Sequence, residues 1–193
     1  MKRILSITVV FLLFVFTFVQ AQEKAPVKRS SKPNIIFILA DDMGYSDMSW
    51  QGSAIQTPNL DKLKTEGMSL ERNYVQPQCS PSRVSFLKGN YPYRYGLHEH
   101  IVLPQSYTGI PKEEKTIAEK MKEGGYKTSI IGKWHVGGSK QSFLPHNKGF
   151  DHSFVCINGQ ISYWNYTHAG TNDLIRNEAG IDYQFFQSTS WLF

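Results

Sequence analysis

The sequence predicts an α/β domain with a largely parallel sheet, and two features of the chain support this. The short apolar run Ile35–Leu39 lacks the alternation of a half-exposed strand, which indicates a strand buried on both faces. Tyr126–Ile131 is predicted to form another buried strand. Segments with helical start and stop signals lie between them. The resulting order of strand, helix, strand, helix, helix, strand is typical of α/β domains.

Length and composition are those of a globular domain. The chain has 193 residues, 40% hydrophobic and 19% charged, which excludes wholesale disorder and allows one domain with a core. The formal net charge is +5, but the basic residues are scattered along the chain. We therefore predict no nucleic-acid partner.

The amino terminus has the layout of a secretory signal peptide. A basic start, Met1-Lys2-Arg3, precedes the apolar run Ile4–Val19, and small residues allow cleavage after Ala21. Residues 1–21 are thus a predicted signal peptide and residues 22–32 a flexible leader. A transmembrane anchor is the alternative, but the run is shorter than the ~20 residues of a usual span, so we predict no stable membrane anchor.

The remaining elements are predicted from local signals. Thr57 and Pro58 open a helix that stops at Gly67, because threonine suits the N-cap and proline the first helical position. Further elements are a strand at Met68–Val75, a helix from near Pro81 to Gly89, and a helix from Thr116 to Gly124-Gly125. The chain ends on the apolar stretch Tyr183–Phe193, which predicts a fragment cut inside an element.

Polar residues cluster at the ends of these elements. Asp41 and Asp42 follow the first strand, Lys133 and His135 follow a later strand, and Cys79 lies near a helix start. Ligands of α/β sheets bind at the carboxyl ends of strands, and helix N-termini favour anions. One shared site is therefore expected. The alternative is that the aspartates form only a solvated turn and that Lys133 and His135 lie in a surface turn.

Cys79 is a thiol in a polar segment of a chain predicted to be exported. Oxidising compartments favour disulfides, and the chain has one other cysteine, Cys156. The spacing neither favours nor excludes a bridge between them.

Several segments resemble type I sulfatases. The Cys-x-Pro-x-Arg frame of "CSPSR" carries the resemblance, together with "PNIIFILADDMGYSD", "TPNLDKL", "GYKTSIIGKWHVG" and "NKGFD" in matching order. "YVQPQCSPSR" and "GLHEHIV" look most like the arylsulfatase B branch. The resemblance runs from about Pro33 to His168.

The resemblance implies an alkaline-phosphatase-like sandwich with a mostly parallel central sheet. Residues 33–193 would be the N-terminal part of its catalytic domain. It also implies that a formylglycine-generating enzyme converts Cys79 to Cα-formylglycine, which a disulfide to Cys156 would block. The hydrated aldehyde offers two hydroxyls, one to attack sulfur and one to release sulfate.

The resemblance also assigns roles to individual residues. Asp41, Asp42 and residue 79 match ligands of one divalent metal, usually Ca²⁺. Arg83 would hold the hydrated side chain, Lys133 would bind sulfate, and His135 would contact the geminal diol and assist elimination. The family's remaining metal ligands, an Asp-Asn pair, lie downstream and have no counterpart here.

The expected function is hydrolysis of sulfate esters. The expected substrates are aryl sulfates or sulfated glycans, with N-acetylgalactosamine sulfate included by analogy with the arylsulfatase B branch. The alternatives are a non-catalytic truncated product that binds a sulfated glycan or a protein partner, and a phosphoester hydrolase of the same superfamily. The expected location is secreted, lysosomal or periplasmic. Asn165 begins an N-glycosylation sequon, Asn165-Tyr166-Thr167.

Overall fold

A computed structural model describes residues 32–177 and 179–180 of the chain. The predicted signal peptide, all of the leader except its last residue, and the apolar stretch at 183–193 lie outside the described residues. The chain divides into two units, residues 1–42 and 43–193, and each is described by itself.

In the first unit, residues 32–42 form no helix and no strand. The apolar side chains from Ile35 to Leu39 are exposed, and Ile36 is 85% accessible. The predicted buried strand is therefore wrong for this structure. An apolar run becomes a central strand only when strands pair beside it and layers cover both faces, and the described part of this unit supplies neither.

The second unit contains three α-helices among its described residues. They are α1 (Pro58–Glu66), α2 (Cys79–Lys88) and α3 (Ile117–Glu123), with short 3₁₀ turns at Ser49–Gln51, Pro92–Tyr95, Gln141–Phe143 and Pro145–Lys148. All three predicted helices are confirmed, although α2 begins two residues before the predicted Pro81. Helix α3 starts with a reciprocal capping box in which Thr116 Oγ1 accepts from Glu119 N, and the Glu119 carboxylate accepts from Thr116 N.

Helix α1 begins at the predicted N-cap residue. Thr57 occupies that position, but its side chain makes no cap hydrogen bond. Its hydroxyl instead accepts from Ser49 N at 3.1 Å and donates to Asp61 Oδ1 at 2.9 Å. The hydroxyl therefore joins α1 to the preceding 3₁₀ turn.

The strands form one four-stranded sheet and one short hairpin. They are β1 (Ser129–Lys133), β2 (His152–Cys156), β3 (Thr167–His168), β4 (Thr171–Asn172), β5 (Leu174–Arg176) and β6 (Ala179–Gly180). The sheet order is β1-β2-β5-β6, with β1 and β2 parallel and the other two pairs antiparallel, while β3 and β4 form the hairpin. The described sheet is therefore mixed, and β1–β2 is its parallel portion.

Two strand predictions differ from the structure. The strand predicted at Tyr126–Ile131 exists as β1 but begins and ends later, at Ser129–Lys133. The strand predicted at Met68–Val75 is wrong, because that segment contains no strand and Met68 and Tyr74 are each 87% exposed. An intrinsic preference for extended structure is weak without a partner strand and a buried face.

The core lies between α2 and the sheet. It consists of buried apolar side chains: Val84, Leu87, Leu97, Val102, Ile110, Trp134, Val136 and Val155. The buried residues of α2 are spaced so that they share one helix face, and Trp134 follows β1 directly. The Trp134 indole donates to the carbonyls of Gly137 and Phe143. This packing fixes the chain that leaves β1. Across the described residues, the helices are all too short and too polar to span a membrane.

Candidate active site

Cys79 is the first residue of α2, and the residues around it hold the helix start in place. Ser80 is fully buried, and its hydroxyl accepts from Val102 N at 2.9 Å. The Ser82 hydroxyl donates to the Gln76 carbonyl at 2.9 Å. The two serines of the motif therefore anchor the turn, while the half-buried Cys79 remains accessible at a helix end that favours negative charge.

His135 lies against the Cys79 side chain. Its Nδ1 is 3.1 Å from Cys79 Sγ, and its own side chain is buried, at 3% exposure. The backbone of His135 is left-handed, with φ of 58°, and its N–H donates to the Ile157 carbonyl at 2.9 Å. This left-handed turn, and not the alternation of an extended chain, therefore sets the direction of the His135 side chain. Residues other than glycine adopt this conformation rarely, and functional sites are where such strain accumulates.

Arg83 ties α2 to the end of β1. Residues 79 and 83 are four apart on one helix and thus share a face. Arg83 Nη1 donates to the Lys133 carbonyl at 2.6 Å. Cys79, Arg83, Lys133 and His135 are thereby brought together, as the sequence predicts for these four residues.

The second cysteine lies beside this cluster. Both cysteines are free thiols, and Cys156 is the partner of Lys133 in the β1–β2 register. Burial raises the pKa of Cys156, and the charge of Asp173 raises it further, whereas Lys133 and Arg83 act in the opposite direction. The positive charges of Lys133 and Arg83 therefore act on Cys156, beside the end of β1. Such a field suits an anionic group.

Asp41 and Asp42 belong to the first unit, whereas Cys79, Arg83, Lys133 and His135 belong to the second. Both side chains are exposed, and Asp42 has a left-handed backbone with φ of 56°. Within residues 32–177, His, Cys, Asp and Glu side chains nowhere gather in a group of three able to hold a metal ion. Because Ca²⁺ takes six to eight oxygen ligands, two carboxylates do not make a complete site. The described residues therefore do not fit a metal centre by themselves.

Three further residues that no motif singled out build the turn against which the His135 ring lies. Gly159 and Asn158 lie in the turn after β2, and Asp173 lies just before β5. The antiparallel pairing of β2 with β5 brings Asp173 to this turn, and that pairing has no signature in the local sequence. An isolated aspartate in a polar segment gave no signal that could have identified it.

The fold and this cluster define a class of protein: an α/β domain with a thiol at a helix N-terminus, a histidine against it, and basic residues beside it. The family model described as Sulfatase matches residues 33–188. The chain therefore belongs to the sulfatase family.

Its relatives include mammalian arylsulfatases. Mouse (Mus musculus) arylsulfatase J is 43% identical over 150 residues, which cover 78% of this chain and 25% of that protein. Human arylsulfatase A is 43% identical over 128 residues, which cover 65% of this chain and 25% of that protein. The chain thus spans about a quarter of the length of these curated relatives.

Solved structures agree with the fold. The crystal structure of Ps i-CgsB superposes with a TM-score of 0.69 at 33% identity, covering 78% of this chain and 37% of that one. The predicted fold class is confirmed: this chain is the N-terminal portion of an α/β, alkaline-phosphatase-like sulfatase fold.

Proposed function

We propose that the whole protein hydrolyses sulfate esters, with residue 79 as its nucleophile. The observation that carries the proposal is the 3.1 Å separation of Cys79 Sγ from His135 Nδ1, at a helix start with two basic residues beside it. A nucleophile with a base in hydrogen-bond reach is the arrangement used for covalent catalysis. Membership of the sulfatase family supports the sulfuryl group as its target.

Cys79 is proposed to act after conversion to Cα-formylglycine by a formylglycine-generating enzyme. When present, that group supplies a hydrated aldehyde with two hydroxyls. One hydroxyl can attack sulfur, and the other can assist the release of sulfate. The residues around position 79 fit this modification, because Cys79 is an accessible free thiol in a Cys-x-Pro-x-Arg frame. A bridge to Cys156 would prevent the conversion.

The neighbouring side chains have complementary tasks. His135 Nδ1 is placed to hold or move a proton at the side chain of residue 79. The cationic groups of Arg83 and Lys133 are proposed to offset the charge of the sulfate oxygens, since electrostatic stabilisation is usually the largest single contribution to such catalysis. The hydrogen bond from Arg83 to the Lys133 carbonyl fixes the guanidinium on the helix face that also carries residue 79.

Asp41 and Asp42 are proposed as part of the ligand set of one divalent metal, with Ca²⁺ as the expected ion. Carboxylate oxygens are the ligands that Ca²⁺ prefers. The bound ion would supply Lewis-acid polarisation of a sulfate oxygen.

The proposed substrates are aryl sulfates or sulfated glycans, including a sulfated N-acetylgalactosamine. Two solved structures support a sugar substrate. One is Ps i-CgsB in complex with k-i-k-neocarrahexaose, which shares 33% identity with this chain at a TM-score of 0.70. The other is BT4656 in complex with its substrate D-glucosamine-2-N,6-O-disulfate, which shares 25% identity at a TM-score of 0.58.

The protein is proposed to enter the secretory pathway and to act outside the cell, in lysosomes or in a periplasm. Asn165 is compatible with glycosylation in a host that performs it. Its side chain is exposed, and its Oδ1 accepts from Thr167 Oγ1 at 2.9 Å, so the two polar residues of the sequon already contact each other.

The proposal is tested by comparing 4-nitrophenyl sulfate with 4-nitrophenyl phosphate as substrates of the whole protein. We expect hydrolysis of the sulfate, loss of that activity in Cys79→Ala, and slower hydrolysis of the phosphate. A faster phosphate reaction that survives Cys79→Ala would instead identify a phosphoester hydrolase. Sulfate hydrolysis equal in both proteins would remove residue 79 from the reaction.

A further inference from the structure

The imidazole of His135 rests against a glycine. A Cβ atom built on Gly159 would lie 2.6 Å from His135 Cε1 and 2.9 Å from Nε2, which is closer than real Cβ contacts allow. The backbone of His135 is hydrogen-bonded to the same turn, because its N–H donates to the Ile157 carbonyl. The position of the ring beside Cys79 therefore depends on where residues 157–159 lie.

Asp173 holds that turn from the opposite side. Its Oδ2 accepts from Asn158 N at 3.0 Å, its Oδ1 accepts from Asn158 Nδ2, and its carbonyl accepts from Ile157 N at 3.0 Å. Asp173 thus fixes two consecutive residues of the turn, Ile157 and Asn158, through its carboxylate oxygens and its backbone carbonyl.

The Asp173 side chain is buried, at 4% exposure. Burial raises the pKa of its carboxyl group, and the Asn158 hydrogen bonds and the charge of His168 act in the opposite direction. A buried carboxylate destabilises a fold unless hydrogen bonds replace its lost water. Here the replacement comes mainly from Asn158.

We propose that Asp173 is a positioning residue: through Asn158 it holds Gly159 against the His135 imidazole and thereby keeps Nδ1 at the side chain of residue 79. The role is indirect, because the hydrogen bonds named above run from Asp173 to the turn and not to residue 79. Asp173 lies 38 positions after His135 in the sequence. The proposal therefore adds a residue of a different segment to the proposed function.

The proposal is tested on the unconverted thiol, in protein made by a host that lacks the formylglycine-generating enzyme. The imidazole Nδ1 lies 3.1 Å from Cys79 Sγ, and a base in hydrogen-bond reach of a thiol activates it towards alkylation. The rate of alkylation of Cys79 by iodoacetamide at one fixed pH therefore reports the placement of His135. Mass spectrometry of tryptic peptides 73–83 and 149–176 follows Cys79 and Cys156 separately.

The test variant is Asp173→Ala, in which residue 173 has no side-chain acceptor for the two Asn158 donors. We expect Cys79 alkylation to slow by about tenfold. Cys156 alkylation should quicken, because the charge of Asp173, which adds to the effect of burial in raising the pKa of Cys156, is gone. General loosening of the fold would quicken both reactions, so opposite changes separate positioning from lost stability.

The matched control is Asp173→Asn. In this variant the amide oxygen of residue 173 accepts from the backbone N–H of Asn158, and its amide nitrogen donates to Asn158 Oδ1 once the Asn158 amide turns over, so both hydrogen bonds are kept while the charge is lost. We expect the Cys79 rate of the unaltered protein. An unchanged Cys79 rate in Asp173→Ala, faster alkylation of both thiols in that variant, or a slowed Cys79 rate in Asp173→Asn would each overturn the proposal.

The thiol measurement stands apart from the proposed function on which the inference rests. If the converted whole protein hydrolyses sulfate esters, Asp173→Ala should lower kcat more than it changes KM, and Asp173→Asn should keep kcat. If the whole protein hydrolyses no sulfate ester, the proposed function fails, whereas the alkylation rates still decide whether Asp173 positions His135.

Discussion

Two regions carry the polar residues of the sulfatase motifs, and they are built differently. In the segment 33–42, which ends in Asp41 and Asp42, the apolar run is exposed and forms no strand. Around Cys79, a helix start, a strand end and a buried histidine are fixed by hydrogen bonds inside one unit. Both regions show the same sequence pattern, in which polar residues stand at the end of a predicted element.

The difference shows what such a pattern does and does not determine. The Cys79 cluster forms because α2 and β1 share a core and are joined by the hydrogen bond from Arg83 to Lys133. The described residues of the aspartate segment form neither helix nor strand, and all of them are exposed. A motif therefore identifies the chemistry, whereas its geometry depends on which packing partners surround it.

The largest expected effect comes from Cys79→Ser in the whole protein. A serine hydroxyl can attack sulfur once but lacks the second hydroxyl that assists release. We expect the steady-state rate on 4-nitrophenyl sulfate to fall by roughly 10⁴-fold or more, with one sulfuryl group retained per protein. Intact-protein mass spectrometry after incubation checks this, and steady turnover without a retained group would contradict it.

Asp42→Asn tests the aspartate region. Loss of one carboxylate ligand should lower the rate by roughly 10²- to 10³-fold and weaken the response to added Ca²⁺ after chelation, because a bound metal contributes several kcal/mol of charge stabilisation. Glu71→Gln, at an exposed acid, is the matched control and should leave both unchanged. Full activity in Asp42→Asn would remove this residue from the metal site.

Gly159→Ala tests the cluster around Cys79. The new methyl group would meet the His135 ring at 2.6 Å, so the imidazole must move. We expect kcat to fall by about 10²-fold, the cost of a displacement near 1 Å at a reacting group.

The matched control is Gly89→Ala, because no atom lies within 4 Å of its Cβ position while its φ of 62° disfavours alanine. That variant should lose about 1 kcal/mol of stability, measured by urea unfolding, and keep kcat. Equal kcat values for the two variants would show that the contact with His135 is unimportant.

The smallest effect concerns Asp151, near the start of β2. Its carboxylate pairs with Lys122 at 2.9 Å and accepts from Thr128, contacts that lower its pKa from 3.8 to about 2. Because the folded-state pKa is depressed, the added stability is present above pH 3.8 and disappears as the pH falls through about 2. Asp151→Asn should therefore lower Tm slightly at pH 6, and this difference should shrink as the pH falls through about 2. A Tm difference of the same size at pH 6 and at pH 2 would contradict this origin.

The helices were predictable because their signals are local. Pro58 and Gly67 delimit α1, and the capping residues Thr116 and Glu119 stand at the start of α3. The strands were less predictable from the sequence. The apolar run at 35–39 has the pattern of a buried strand in isolation, yet only partners distant in sequence can make it one.

The candidate site divides in the same way. Cys79, Arg83, Lys133 and His135 were predictable from motifs, and the structure brings them together. The sequence did not predict the left-handed backbone of His135 or its support by Gly159 and Asp173. These features arise from the turn after β2 and from the pairing of β2 with β5.

The most direct test of the central claim is the mass of the tryptic peptide Asn73–Arg83, isolated from protein made with a formylglycine-generating enzyme. The proposed role of residue 79 predicts the mass of formylglycine, or its hydrate, in place of Cys79. The matched Arg83→Ala protein, digested with a second protease, should show reduced conversion, because the Cys-x-Pro-x-Arg frame is lost. An unmodified thiol in the unaltered protein, or a disulfide to Cys156, would contradict the proposed nucleophile.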